Sequence, residues 1–242
     1  MKEDAKSVYT FSNGVMLFRS TMLDLQIARY QEDGNPNLHE PVEEWWLRRC
    51  IDLVDHNEPV IVDVGAGVGY YSVLVKRNWP SARVVALEPL PAHADAIVAH
   101  ADLNGLAAGT IDLRKEALSD VDGEAEFVPE SYGSRLIPPG RRSDRGTIKV
   151  RSLTLESLLG QIGPVDVMKV DIQGLELRVL AAAPAALASG RIKMLIVGTH
   201  GPDLFEGVRR ILSAHYEILH EDPAPPHQPD GLIVARHRQA GA

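Results

Sequence analysis

From residue 59 onward, short β-branched apolar runs alternate with longer segments of helical period. PVIVDVG (59–65) reads as a buried strand and YYSVLVKRNW (70–79) as a helix. ARVVALEP (82–89) is a second strand, HADAIVAHADLNG (93–105) a second helix with a glycine stop, and TIDLRKEAL (110–118) a third strand. VDVMKVDI (165–172) is a fourth strand, followed by the helix LELRVLAAAPAAL (175–187). RIKMLIVGTH (191–200) is a fifth, followed by a helix over 203–214. HYEILHED (215–222) and DGLIVARH (230–237) have no helix between them and predict a final antiparallel hairpin. Strands alternating with helices call for a mostly parallel sheet covered on both faces.

Two regions break the alternation. VYTFSNGVMLF carries Asn-Gly between apolar alternations, a hairpin signal, and EPVEEWWLRRCIDLVDHN (40–57) reads as an amphipathic helix. Within it Trp45, Trp46, Leu47 and Leu53 are expected in the core. GEAEFVP and GTIKVRSL then predict two strands around the polar loop ESYGSRLIPPGRRSDR. Both regions read as decorations of one domain spanning 1–242: a hairpin and lid-like helix over 1–57, and a core over 58–237 with an insertion at 119–152.

Composition narrows the possibilities. The 242 residues carry a formal net charge of -8, which argues against non-specific binding to nucleic acid or an anionic membrane. Apolar runs such as MLIVG (194–198) are too short to span a bilayer, and MKEDAKS lacks the apolar stretch of a secretory signal. Cys50 is the only cysteine, so no disulfide framework or cysteine metal site is expected. These features point to a soluble cytoplasmic protein.

The candidate chemistry lies in VDVGAGVGYY (62–71), a glycine-rich turn after the first core strand. In an open α/β sheet, ligands sit beyond the carboxyl ends of the strands, where the strand order reverses. A dinucleotide turn follows G-x-G-x-x-G/A, whereas here Tyr70 fills the third small slot and the glycines fall at 65, 67 and 69. Asp63 stands close to the turn, where it would repel a pyrophosphate and attract an ammonium or sulfonium. Glu88 ends the second strand, where a carboxylate accepts hydrogen bonds from both ribose hydroxyls. Together these select S-adenosylmethionine over a nicotinamide dinucleotide. Gly65, Ala66, Gly67, Tyr70 and Pro89 are the accompanying cofactor contacts. In methyltransferases of class I, adenine is often read near the end of the third strand, where Glu116 and Ala117 stand.

VDVGAGVGYYS, ALEPLP, LNGL, EALSDVDGEAEF, YGSRL and above all MKVDIQGLELRVL resemble the FkbM family of S-adenosylmethionine-dependent methyltransferases. The resemblance covers roughly residues 38–237. It implies an α/β class I methyltransferase fold: a Rossmann-like three-layer sandwich whose seven-stranded, mostly parallel sheet has its last strand antiparallel, here with an N-terminal extension. It also implies methyl transfer, usually to a hydroxyl of a natural product or sugar. One departure is VGTHG (197–201), where many members have an acidic residue before the HG pair and this chain has Gly198.

Aligning an acceptor with an activated methyl can be worth about 7–11 kcal/mol, and a base adds roughly 10²–10⁴-fold. Asp171, ending the fourth strand, is the candidate to bind the acceptor hydroxyl, hold the methionine amine or take a proton, with a helix N-cap as the alternative. His200, ending the fifth strand, suits a general base if its pKa stays near its unperturbed value of about 6.5, and could also touch substrate. Glu176 is as well explained by helix packing. Glu40, ahead of the long helix, is a cofactor contact or a first-turn acid. Arg135, with Arg141, Arg142, Arg145, Lys149 and Arg151, forms a basic loop that could meet an anionic acceptor. Asp171, His200 and another oxygen ligand could hold Mg²⁺, but no compact carboxylate run has the spacing of a dedicated site, so no metal is expected. The acceptor is expected to be a small molecule, with a homodimer through the terminal helix or hairpin left open. Alanine- and arginine-rich stretches such as AAAPAALASGR suggest bacterial secondary metabolism, antibiotic biosynthesis included. N-methylation of a small amine and a non-catalytic cofactor-binding module are the alternatives to O-methylation.

Overall fold

The computed structural model describes residues 7–129, 135–137 and 146–238. The chain opens with an antiparallel hairpin, β1 (Val8–Thr10) and β2 (Met16–Phe18), then α1 (Asp24–Tyr30) and α2 (Pro41–Asp52). Helix α1 carries no signal that the sequence reading used, and α2 stops at Asp52 instead of reaching residue 57. Pro41 sits in the first turn of α2, where its missing N–H costs nothing, and Arg48 pairs with Glu44 one turn earlier at 2.8 Å.

The core then runs β3 (Val60–Val64), α3 (Tyr70–Asn78), β4 (Arg83–Leu87), α4 (Pro91–Leu103) and β5 (Ile111–Arg114). Here the expected third strand breaks. β6 (Glu116–Leu118) leaves the core sheet and pairs in parallel with β9 (Ile148–Leu153), which also pairs antiparallel with β7 (Gly123–Val128). A two-residue β8 (Arg135–Leu136) closes this smaller four-stranded sheet beside β7. The chain returns through α5 (Leu155–Ile162), whose N-cap Thr154 accepts the Ser157 N–H at 3.2 Å. β10 (Val165–Val170) follows, then α6 (Glu176–Ala181) and α7 (Pro184–Ala188). The single helix expected over 175–187 is broken at Pro184, which cannot donate to the preceding turn. β11 (Ile192–Thr199), α8 (Pro202–Leu212), β12 (Tyr216–Asp222) and β13 (Gly231–His237) complete the order.

The main sheet has seven strands in the order β12-β13-β11-β10-β3-β4-β5. All are parallel except β13, which lies antiparallel between β11 and β12. This is the class I methyltransferase sheet expected from the resemblance, and its strand order reverses between β3 and β10. Side chains alternate across it with period two. Val62, Val64, Met168, Val170, Leu195 and Val197 face the layer of α5 to α8. Ile61, Val167, Met194 and Ile196 face α2, α3 and the N-terminal hairpin. Leu47 is buried as expected, but Trp45 is 58% and Leu53 41% exposed, so only part of the α2 stripe reaches the core.

Candidate functional site

A cleft opens at the carboxyl edge of the sheet, over the reversal point, with about 910 Å³ of space that is partly open to solvent. Its floor is the turn after β3. Gly65, Gly67 and Gly69 all have positive φ, at 76°, 55° and 89°. A Cβ on Gly65 would lie 1.8 Å from the Asp171 carbonyl oxygen, whereas a Cβ on Gly67 would meet nothing within 4 Å. One glycine therefore lets two strand ends close on each other, and the next leaves open space above the backbone.

Glu88 and Asp171 follow the two strands that flank β3. The Glu88 carboxylate accepts the Gly67 N–H at 2.9 Å through Oε2 and the Leu90 N–H at 2.8 Å through Oε1. Each oxygen retains acceptor capacity toward the cleft. Leu87, Ala117, Leu118 and Phe127 supply apolar lining, and Ala66, Pro89, Tyr70 and Glu116 also line the space. Glu116 pairs with Arg151 at 3.3 Å, and the Tyr70 hydroxyl donates to Glu44 at 2.6 Å.

The other wall is charged. Lys169 is buried in β10, with Nζ 3.3 Å from Glu43 Oε1, 3.4 Å from Asp171 Oδ2 and 4.8 Å above the Tyr71 ring. Burial works against its ammonium, but Glu43, Asp171, Asp63 and Glu40 outweigh it and hold the pKa well above the ordinary lysine value. Burial likewise opposes ionisation of Asp171, yet Lys169 and His200 bring its pKa below the usual carboxylate range. Burial pushes Glu43 up to about 8 and Asp230 up to about 6. His39 lines the cleft from the segment before α2, its Nδ1 2.5 Å from the Tyr30 hydroxyl. Burial, then the charges of Arg29 and Lys169, lower its pKa to about 3.

Among the residues singled out from sequence, Gly65, Ala66, Gly67, Tyr70, Glu88, Pro89, Glu116, Ala117 and Asp171 come together around this cleft. Three do not line it. Asp63 is an interior residue of β3 on the same face as Ile61, one residue short of the strand end, and it is turned toward α3, where it accepts the Ser72 hydroxyl at 2.7 Å. Its burial raises its pKa and takes it away from any sulfonium in the cleft. Glu40 is the N-cap residue of α2, and its carboxylate accepts the Tyr71 hydroxyl at 2.9 Å. His200 stands behind Asp171, with Nε2 3.6 Å from Asp171 Oδ1 and 3.4 Å from Asp230 Oδ1, and Nδ1 3.1 Å from Glu176 Oε1. Burial lowers its pKa, but Glu176, Asp171 and Asp230 outweigh that and raise it to about 9. A histidine so held is a cation at neutral pH, against the free base that the sequence suggested. Asp171 does not cap α6, whose N-cap is Leu175. Glu176 is fully buried and accepts the Ile172 and Gly174 N–H groups at 2.9 and 3.2 Å, so it pins the turn from within. The side chain of Arg135, and Arg141, Arg142 and Arg145, lie outside the described residues.

Lys169, Gln173 and Phe127 also line the cleft, although sequence reasoning did not name them, and so does His39, which it placed only ahead of the lid-like helix. The only signal for Lys169 was a lysine inside an apolar strand, MKV, opposite the aspartate of VDV. The residues present fit S-adenosylmethionine. They offer an open backbone at Gly67, a carboxylate for ribose hydroxyls and an apolar slot for a purine.

Sheet order, glycine turn and the acid ending β4 define a class I methyltransferase fold. Residues 63–219 match the Methyltransferase FkbM domain, and the chain belongs to this family. It is 26% identical over 170 residues to methyltransferase sdnD of Sordaria araneosa, covering 57% of this chain and 66% of that one. It is 27% identical over 186 residues to hexuronic acid methyltransferase AglP of Haloferax volcanii, covering 72% of this chain and 74% of AglP. Among solved structures it is similar to the methyltransferase FkbM from Methylobacillus flagellatus KT, with a TM-score of 0.54 and 16% identity. That match covers 76% of this chain and 45% of the other, so the chain spans less than half of that protein. Among the described residues no helix is long and apolar enough to cross a membrane.

Proposed function

We propose that the chain is an S-adenosylmethionine-dependent O-methyltransferase acting on a hydroxyl of a small molecule, a sugar or natural product. The observation that carries this reading is the cleft itself, floored by Gly67 with open space above it and walled by Glu88 on one side and Asp171 on the other. When bound, S-adenosylmethionine supplies a methyl group already activated by a positive sulfur. Glu88 takes the ribose hydroxyls, Glu116 and the Ala117 backbone take the adenine edge, and the glycine turn lies against the methionine portion. Asp171 accepts the acceptor's O–H and orients its oxygen, its charge held by Lys169 and His200. His200, a cation while no ion is bound beside Asp171, is not the base. A sugar acceptor is supported by AglP, which by its name methylates a hexuronic acid. The acidic chain supports a small molecule over nucleic acid. The single-domain organisation and the contact of Arg135 with an anionic acceptor belong to the same proposal.

Calorimetric titration with S-adenosylmethionine, run in parallel with NADH, tests the cofactor. Binding of the sulfonium compound alone is expected, and binding of NADH alone would overturn the reading. With a panel of sugar acceptors, Asp171→Asn is expected to lower kcat roughly 10²-fold with little change in cofactor affinity. Faster turnover of amines than of hydroxyls would make the chain an N-methyltransferase.

A further inference from the structure

A second constellation sits at the carboxyl edge, immediately behind the cleft. Asp171 follows β10 and His200 follows β11. Asp230 precedes β13, which runs antiparallel and so begins at the same edge. His200 Nδ1 faces Glu176 Oε1 at 3.1 Å. That carboxylate is fully buried and fixed by the Ile172 and Gly174 amides, so it orients the ring through Nδ1 and leaves the Nε2 proton as the one a cation would displace. Carboxylates occupy this position behind metal-bound histidines.

Both ring nitrogens of His200 are shielded from solvent, and neither makes a well-formed hydrogen bond. The neighbours of Nε2, Asp230 Oδ1 and Asp171 Oδ1, stand at 3.4 and 3.6 Å. Charge-assisted hydrogen bonds are shorter, about 2.7–2.9 Å. Two donors each about 2.1 Å from a shared ion, at angles of about 90–120°, stand roughly 3.0–3.6 Å apart. Donor atoms of Asp171, Glu176 and His200 all lie within 4.8 Å of one another.

We propose that Asp171 Oδ1, His200 Nε2 and Asp230 Oδ1 form a divalent-cation site, with Glu176 as the carboxylate that orients the imidazole. Two carboxylates and one imidazole suit a hard or borderline ion such as Mg²⁺ or Mn²⁺. Three protein donors leave the remaining positions to water or to an oxygen of the acceptor. Because Asp171 also lines the cleft, the ion lies in its wall. The ligands come from three strand ends far apart in sequence, which is why sequence reasoning could pair Asp171 with His200 but did not name Asp230 as the further oxygen ligand. A role for the ion in polarising an acceptor oxygen rests on the methyl-transfer reading, but its binding does not.

The full chain, stripped with chelator, is titrated with Mn²⁺ and followed by electron paramagnetic resonance. Expected are one bound Mn²⁺ per chain, hyperfine coupling to an imidazole nitrogen, and affinity weakened about tenfold or more in Asp230→Asn and His200→Gln. Circular dichroism checks that both variants fold. If either does not, the nitrogen coupling in the unsubstituted protein decides. No bound Mn²⁺, bound Mn²⁺ without nitrogen coupling, or unchanged affinity in a folded variant overturns the site. Calorimetry with S-adenosylmethionine on the same samples separates the two proposals. Cofactor binding without Mn²⁺ removes only the ion, and Mn²⁺ binding without the cofactor removes only the transfer reading.

Discussion

Gly65 and Asp171 meet backbone to backbone: a Cβ on the first would stand 1.8 Å from the carbonyl oxygen of the second, and the Asp171 N–H donates to Val64 at 3.1 Å. The obstructing atom is main chain and cannot rotate away. Gly65→Ala is therefore expected to cost about 3 kcal/mol or more of stability. Gly67→Ala meets no protein atom and costs only about 1–2 kcal/mol for its left-handed backbone. Its methyl projects into the cleft, so cofactor affinity falls while Tm moves little. Scanning calorimetry and ligand titration on both variants check the pair, and equal Tm losses would contradict it.

Glu88 holds the Gly67 and Leu90 amides while facing the cleft. Glu88→Gln preserves shape but not charge, and hydrogen bonds to charged groups are worth about 1.5–3 kcal/mol. A rise of roughly tenfold or more in the S-adenosylmethionine Kd is expected by titration, with adenine alone less affected because it lacks the ribose.

His39 is held neutral, its pKa lowered from 6.5 to about 3 by burial and by the nearby Arg29 and Lys169 charges. A depressed folded-state pKa contributes stability that is complete above the unfolded value and is lost as pH falls toward the folded one. Between pH 6.5 and about 3 this single proton steepens the pH dependence of unfolding by up to about 1.4 kcal/mol per pH unit. His39→Gln is expected to flatten that slope in denaturant titrations across the same range. An unchanged slope would mean the ring titrates normally.

Cys50 is fully buried in α2, and burial pushes its thiol up to about 12. The thiolate is the reactive form. The native protein is expected to leave a thiol reagent unconsumed at mildly alkaline pH and to react with one equivalent after unfolding. Rapid labelling of native protein would show that α2 lifts from the sheet.

Much of the architecture was legible because apolar runs and glycine stops are local signals. The first, second, fourth and fifth core strands, the terminal hairpin and the glycine turn were read nearly at their true bounds. What was missed is tertiary. Nothing around Lys115 announces that residues 116–118 join a different sheet, because that choice is made by pairing with residues 151–153. Asp63 was taken for a ligand of the cleft because it precedes a glycine turn. Its place inside β3 instead turns it into the α3 layer, where Ser72 takes up its carboxylate. His200 was read with an ordinary pKa because Glu176 and Asp230 reach it only through the fold.

The antiparallel insertion of β13 between β11 and β12 also orders events during biosynthesis. Strand β12 leaves the ribosome before the strand that must separate it from β11, so a nascent chain ending near residue 222 exposes the long apolar edge of Ile192–Thr199. Such edges recruit other strands, and closing them requires contacts distant in sequence. The sheet is thus sealed by the last of its own strands to be synthesised, which also delivers Asp230 to the carboxyl edge, and until it arrives the β11 edge stays open to wrong partners.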